Sequence, residues 1–159
     1  VLFRSIIIAS LLVAASPARA DDGADRRPKL SVGGGVGWPH LFHAQASYWP
    51  VRYATVDLRA WSQALITRQG GEATLSVHVP IGPVDAIATG GGGLWREIPE
   101  CAGVLCPDYE NSSYLRGAAG VGLLTRRLDL RVLAGATSSP DGTRVSVHVT
   151  LLRRWPNAN

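Results

Sequence analysis

Eight stretches of this chain alternate apolar and polar residues at every second position, and each ends on Gly, Pro, Asn, Asp or Arg. A repeat of two is the period of a β-strand, whose successive side chains point to opposite faces. Residues 72–79 show it most clearly: Ala73, Leu75, Val77 and Val79 alternate with Glu72, Thr74, Ser76 and His78. The other stretches run about 30–38, 41–49, 53–66, 84–95, 114–125, 128–137 and 144–155. Arg68-Gln69-Gly70-Gly71, Pro80 to Pro83 and Ser138 to Thr143 read as turns, and residues 96–113 as one long loop.

What precedes the strands bears on where they fold. Residues 1–20 read as a secretory signal: Arg4, an apolar run from Ile6 to Ala15, then Ala18-Arg19-Ala20 as a small-x-small cleavage site. That run is short of the roughly 20 apolar residues a membrane helix needs. Residues 21–29 are polar and expected to be disordered, 30–155 form the barrel domain, and 156–159 a tail. Without the signal the chain keeps 14 of its 16 basic residues against 12 acidic ones, a net charge of +2. The basic residues are scattered and not interleaved with aromatics, which argues against nucleic acid as a partner. Charged residues make up 18% of the chain, below the roughly 25–35% expected of a water-facing surface. Cys101 and Cys106 read as a disulfide in an exported chain, with free thiols or half a metal site as alternatives. No His lies near them, and neither metal nor cofactor is expected.

An even number of strands of about 9–11 residues is what a membrane-spanning barrel uses. The links after the second, fourth and sixth stretches are tight and the longest follows the fifth, an asymmetry such barrels share. The expected fold is therefore all-β: an eight-stranded antiparallel up-and-down transmembrane barrel. Its Val/Leu/Ala faces would meet lipid, and its charges would turn inward as a polar network of Asp57, Arg59, Glu72, His78, Asp85, Arg116, Asp129, Arg131 and His148. Eight strands leave only enough room for side chains to fill the interior.

Two matches suggest a duplicated four-strand unit. Val56-Asp57-Leu58-Arg59 resembles Leu128-Asp129-Leu130-Arg131, and Ser-Val-His-Val occurs at 76–79 and 146–149. Pairing Arg59 with His78 would set Asp57 diagonal to that His, and Arg131, His148 and Asp129 would repeat the arrangement. Two Asp-Arg-His clusters would then face across the lumen, joined by Asp85, Glu72 and Arg116. Ser76, His78 and Asp57, or Ser146, His148 and Asp129, could instead be hydrolase triads. Neither has a strained nucleophile turn or an evident oxyanion hole, so no catalytic residues are assigned and no enzyme is expected. The glycine runs at 33–35 and 90–93 lack the Gly-Lys-Ser/Thr of a phosphate loop.

The leader, the eight alternating strands and a last strand ending on Trp155, with Val149 and Leu151 in phase, resemble the small eight-stranded outer-membrane proteins of the OmpA/OmpX type. Arg153 and the tail Pro156 to Asn159 depart from that pattern. The resemblance implies a monomer in bacterial outer-membrane lipid, with a structural, adhesive or envelope-protective role. It also implies a terminal aromatic read by the barrel-assembly machinery. Two alternatives remain. One is a soluble periplasmic, lipocalin-like barrel with its apolar face inward around a small apolar ligand, which would expose Asp57, Arg59, Asp129 and Arg131. The other is a lipid-modifying outer-membrane enzyme.

Overall fold

The computed structural model describes residues 30–63, 68–97, 110–125 and 127–155. The leader, the Cys101–Cys106 segment and the tail lie outside the described residues. Eight strands form: β1 Leu30–Trp38, β2 Phe42–Val51, β3 Ala54–Gln63, β4 Arg68–Ile81, β5 Val84–Glu97, β6 Glu110–Leu124, β7 Leu128–Ser139 and β8 Gly142–Trp155. Each pairs antiparallel with its neighbour in sequence, and β1 pairs with β8, so the sheet closes. Closure leaves no strand edge without hydrogen-bond partners.

The stagger of the barrel follows from its register. Stepping from partner to partner, Leu30 leads through Tyr48, Val56, Leu75, Gly90, Gly117, Ala136 and Val145. Because Val147 faces Trp38, the circuit returns to β1 ten residues above its start. A shear of this size in an eight-stranded barrel tilts the strands by roughly 40°.

Alternation sorts the faces as expected. Outward positions are apolar and open: Val36, Phe42, Leu58, Leu75, Leu115, Val132, Val147 and Leu151 are all exposed. Tyr48 and Trp155 flank Leu30 at the end where β1 begins and β8 ends, while Trp38 and Phe42 mark the other end. Arg153 faces outward one step from the terminal aromatic, and its guanidinium carbon lies 5.5 Å from the Trp155 ring centroid. That position suits a long basic side chain that snorkels toward a membrane surface.

Inward positions carry the polar side chains, and glycine makes room for the largest of them. Inward rings repeatedly sit across from a glycine on the next strand: His43 from Gly35, His148 from Gly37, Trp61 from Gly70 and Tyr114 from Gly93. A Cβ added at Gly37 would meet the His148 ring at 2.5 Å, and one at Gly93 the Tyr114 ring at 2.7 Å. At the β4–β5 link Gly82 has φ 64°, a conformation only glycine enters freely.

This arrangement corrects the expected register. Arg68 to Gly71 is strand rather than turn, so Arg59 pairs with Glu72 and not with His78. On the other side the turn is the two-residue Pro140-Asp141, so Arg131 pairs with Thr150 and His148 faces Leu133. Hairpin register follows the position of the turn: the β3–β4 turn was misplaced, whereas the β7–β8 turn lies within the expected Ser138 to Thr143 and only the pairing of Arg131 with His148 is corrected.

Candidate functional site

The polar lumen is the one chemically distinctive region among the described residues. Asp57, Arg59, Glu72, His78, Asp85, Arg116, Asp129, Arg131 and His148 are all buried. With Arg154, also buried, the interior holds four carboxylates and four guanidinium groups. A buried charge is tolerable only when paired and hydrogen-bonded. Here the pairing divides into two networks at different depths, rather than into two equivalent Asp-Arg-His clusters.

The deeper network lies toward the start of β1 and the end of β8 and is built on Arg131. Its Nε donates to both oxygens of Asp129 at 3.1 and 3.0 Å, its Nη2 to Asp129 Oδ2 at 2.7 Å and its Nη1 to Asp57 Oδ1 at 3.0 Å. The two similar words on β3 and β7 thus converge on one guanidinium from opposite sides of the lumen. Asp57 Oδ2 also accepts from Ser76 Oγ at 2.5 Å and from Thr55 Oγ1 at 3.2 Å. His78 stands beside Thr55 and Asp85, and packs on the Trp49 ring at 4.5 Å between centroids. Arg154 donates through Nη1 to the Thr125 carbonyl at 2.6 Å, which ties β8 to the β6–β7 link.

The shallower network is built on Glu72. Its Oε1 accepts from Arg59 Nη1 and Arg116 Nη1, each at 2.5 Å, and its Oε2 from the Tyr114 hydroxyl at 2.9 Å. Trp61 Nε1 donates to the same hydroxyl at 2.8 Å. The remaining donors of Arg59 are drawn to Gln45 Oε1, from Nε at 3.1 Å and Nη2 at 2.7 Å. His40, in the β1–β2 link, stacks on Trp61 at 3.7 Å and comes within 5.9 Å of the His148 ring. Burial is the main force pulling the His40 pKa down to about 4. Glu72 opposes that shift and the two arginines reinforce it, so this imidazole is neutral at physiological pH.

Several network members were not among the expected ones: His40, His43, Gln45, Trp49, Trp61, Tyr114 and Arg154. Inward parity was readable for His43, Gln45, Trp49, Trp61, Tyr114 and Arg154, whereas His40 lies in the β1–β2 link and has no strand parity. The ionic side is enclosed, which is opposite to a lipocalin-like arrangement. The hydrolase geometry is not formed either. Ser76 gives its hydrogen bond to Asp57, and neither Ser146 Oγ nor either ring nitrogen of His148 has a protein partner. A small apolar cluster, Ile87, Ala118 and Leu133, fills the β5–β7 side of the lumen.

An up-and-down antiparallel barrel of eight strands, apolar outside and ionic inside, has the fold of the small outer-membrane barrels of the OmpA type. The N-terminal β-barrel domain of Pseudomonas aeruginosa OprF superposes with a TM-score of 0.63 at 8% sequence identity, covering 79% of this chain and 95% of that domain. No protein-family model and no curated protein matches the sequence.

Proposed function

We propose that this chain is a bacterial outer-membrane barrel, monomeric in outer-membrane lipid, with a structural or protective role at the envelope and without enzymatic activity. Its carrying observation is the inversion of polarity: exposed Val, Leu, Phe and Trp side chains outside, eight charged ones enclosed. A water-facing barrel with this distribution would expose a broad apolar surface to water while enclosing the same charges. In hydrocarbon the apolar outer face is favoured, and the closed sheet gives each strand a hydrogen-bonded neighbour on both sides. The side-chain networks occupy the lumen, which suits a sealed strut rather than a pore. The OmpA-type fold supports the same reading, and the exposed Trp155 at the end of β8 is the feature the assembly machinery would engage.

The test is folding without and with amphiphile. Chain beginning at residue 21 and unfolded in urea is expected to fold only on dilution into detergent or lipid vesicles. Once folded, it should migrate faster unboiled than boiled on a denaturing gel. A chain that folds fully in detergent-free buffer would overturn the proposal.

A further inference from the structure

The lumen balances its charges overall but segregates them. Arg131 and Arg154 stand against Asp57, Asp85 and Asp129 in the deeper network, a net −1, while Arg59 and Arg116 stand against Glu72 alone in the shallower one, a net +1. Glu72 already accepts three hydrogen bonds, and Arg59 is served further by Gln45. Arg116 is different. Its side chain is 1% exposed, yet Nε and Nη2 have no protein acceptor.

Other unused polar atoms lie on the strands beside it. Thr137 is the direct partner of Arg116, and Ser146 and His148 follow on the inner face of β8. Thr137 Oγ1, Ser146 Oγ and both ring nitrogens of His148 are closed to solvent without a protein partner. Ala118 and Gly135, paired with each other, lie between Arg116 and Ser146 and fill little space. These groups can all donate: a guanidinium, two hydroxyls and an imidazole, which carries at least one N–H in either charge state. Buried polar groups left without partners are costly, and so many donors beside an uncompensated positive charge call for an acceptor with negative charge. A cavity of about 40 Å³ opens at this end beside Thr137, lined also by His40, Tyr114 and Arg144, while Arg116, Ser146 and His148 lie outside its lining. An eight-stranded lumen already filled by side chains has no room around Arg116 for sugars, nucleotides or acyl chains.

We propose that the Arg116 end of the lumen is a binding site for a small monovalent anion of halide size. Arg116 Nε and Nη2 supply charge and direction, while Thr137, Ser146 and His148 complete the shell. The site lies inside the barrel and is independent of which solvent meets the outer face.

The probe is sodium bromide, exchanged against sodium gluconate at constant ionic strength, with barrel folded in micelles. Thermal unfolding is read by the gel shift. Bromide is expected to raise the unfolding temperature saturably, and crystals grown in bromide should show an anomalous peak beside Arg116. Thr137→Val/Ser146→Ala, which leaves every charge in place, should weaken the half-saturating bromide concentration at least tenfold, and Arg116→Gln should abolish the response. If Arg116→Gln does not fold, the double variant decides. Equal unfolding temperatures in both salts, an unchanged bromide response in the double variant, or no anomalous peak in the lumen would each overturn the site.

Discussion

Replacing Arg131 with Met is expected to destabilise the folded barrel by about 3–5 kcal/mol, the cost of leaving a buried charge without its partner. Arg131 is 1% exposed and is held by two carboxylates, so its removal strands both Asp129 and Asp57 in the lumen. Asp57 retains Ser76 and Thr55, but hydroxyls do not neutralise it. Arg131→Lys keeps the charge and loses the fork that serves Nε, Nη1 and Nη2 at once, so it should recover only part of the loss. The decisive comparison is the triple variant Asp57→Asn/Asp129→Asn/Arg131→Met, in which none of these three charges remains. Urea unfolding in lipid vesicles should place it well above Arg131→Met alone. Equal stability of the single and triple variants would mean that the carboxylates do not depend on this arginine.

The second large effect lies on the opposite face. Leu58 sits midway along β3 between Ala46 and Ala73, and is 57% exposed. Leu58→Arg is expected to cost ~2–4 kcal/mol in lipid vesicles, as a basic residue does near a bilayer midplane. On a protein facing water, the same substitution at so open a position would stay within about 0.5 kcal/mol. The sign of the difference therefore reports the solvent outside the barrel. Arg153 shows how the chain itself tolerates a base on that face: it lies near the end of β8, one step from Trp155, rather than at mid-height.

Parity was the part of this structure most readable from sequence. The alternation that put Asp57, Arg59, Asp129 and Arg131 on the face opposite Val56, Leu58, Leu128 and Leu130 is the alternation of the barrel wall. Strand β1 has the bounds its pattern implied, and the closed eight-stranded order is the one the alternating stretches implied. Register was less accessible. Arg68 to Gly71 has the composition of a turn, yet Gly70 is in β4 because the Trp61 ring occupies the space its side chain would fill, 2.7 Å from an added Cβ. Local chemistry cannot distinguish a glycine that bends a chain from one that yields space to a ring on the next strand. That ambiguity moved Arg59 from Glu72 to His78 and hid the division of the lumen into two networks. The repeated Ser-Val-His-Val words misled for a related reason. Ser76 and Ser146 share a local sequence, but only Ser76 finds a carboxylate, because their surroundings come from distant strands.

A nitroxide placed on the outer face reads directly whether that face meets hydrocarbon. In a Cys101→Ser/Cys106→Ser background, Leu58→Cys and Arg52→Cys, the latter in the β2–β3 link, would each be spin-labelled and folded into vesicles. Molecular oxygen, which partitions into lipid, should relax the label at position 58 more strongly than a water-soluble nickel chelate does, with the order reversed at position 52. A label at 58 as open to the nickel chelate as the one at 52 would contradict the account.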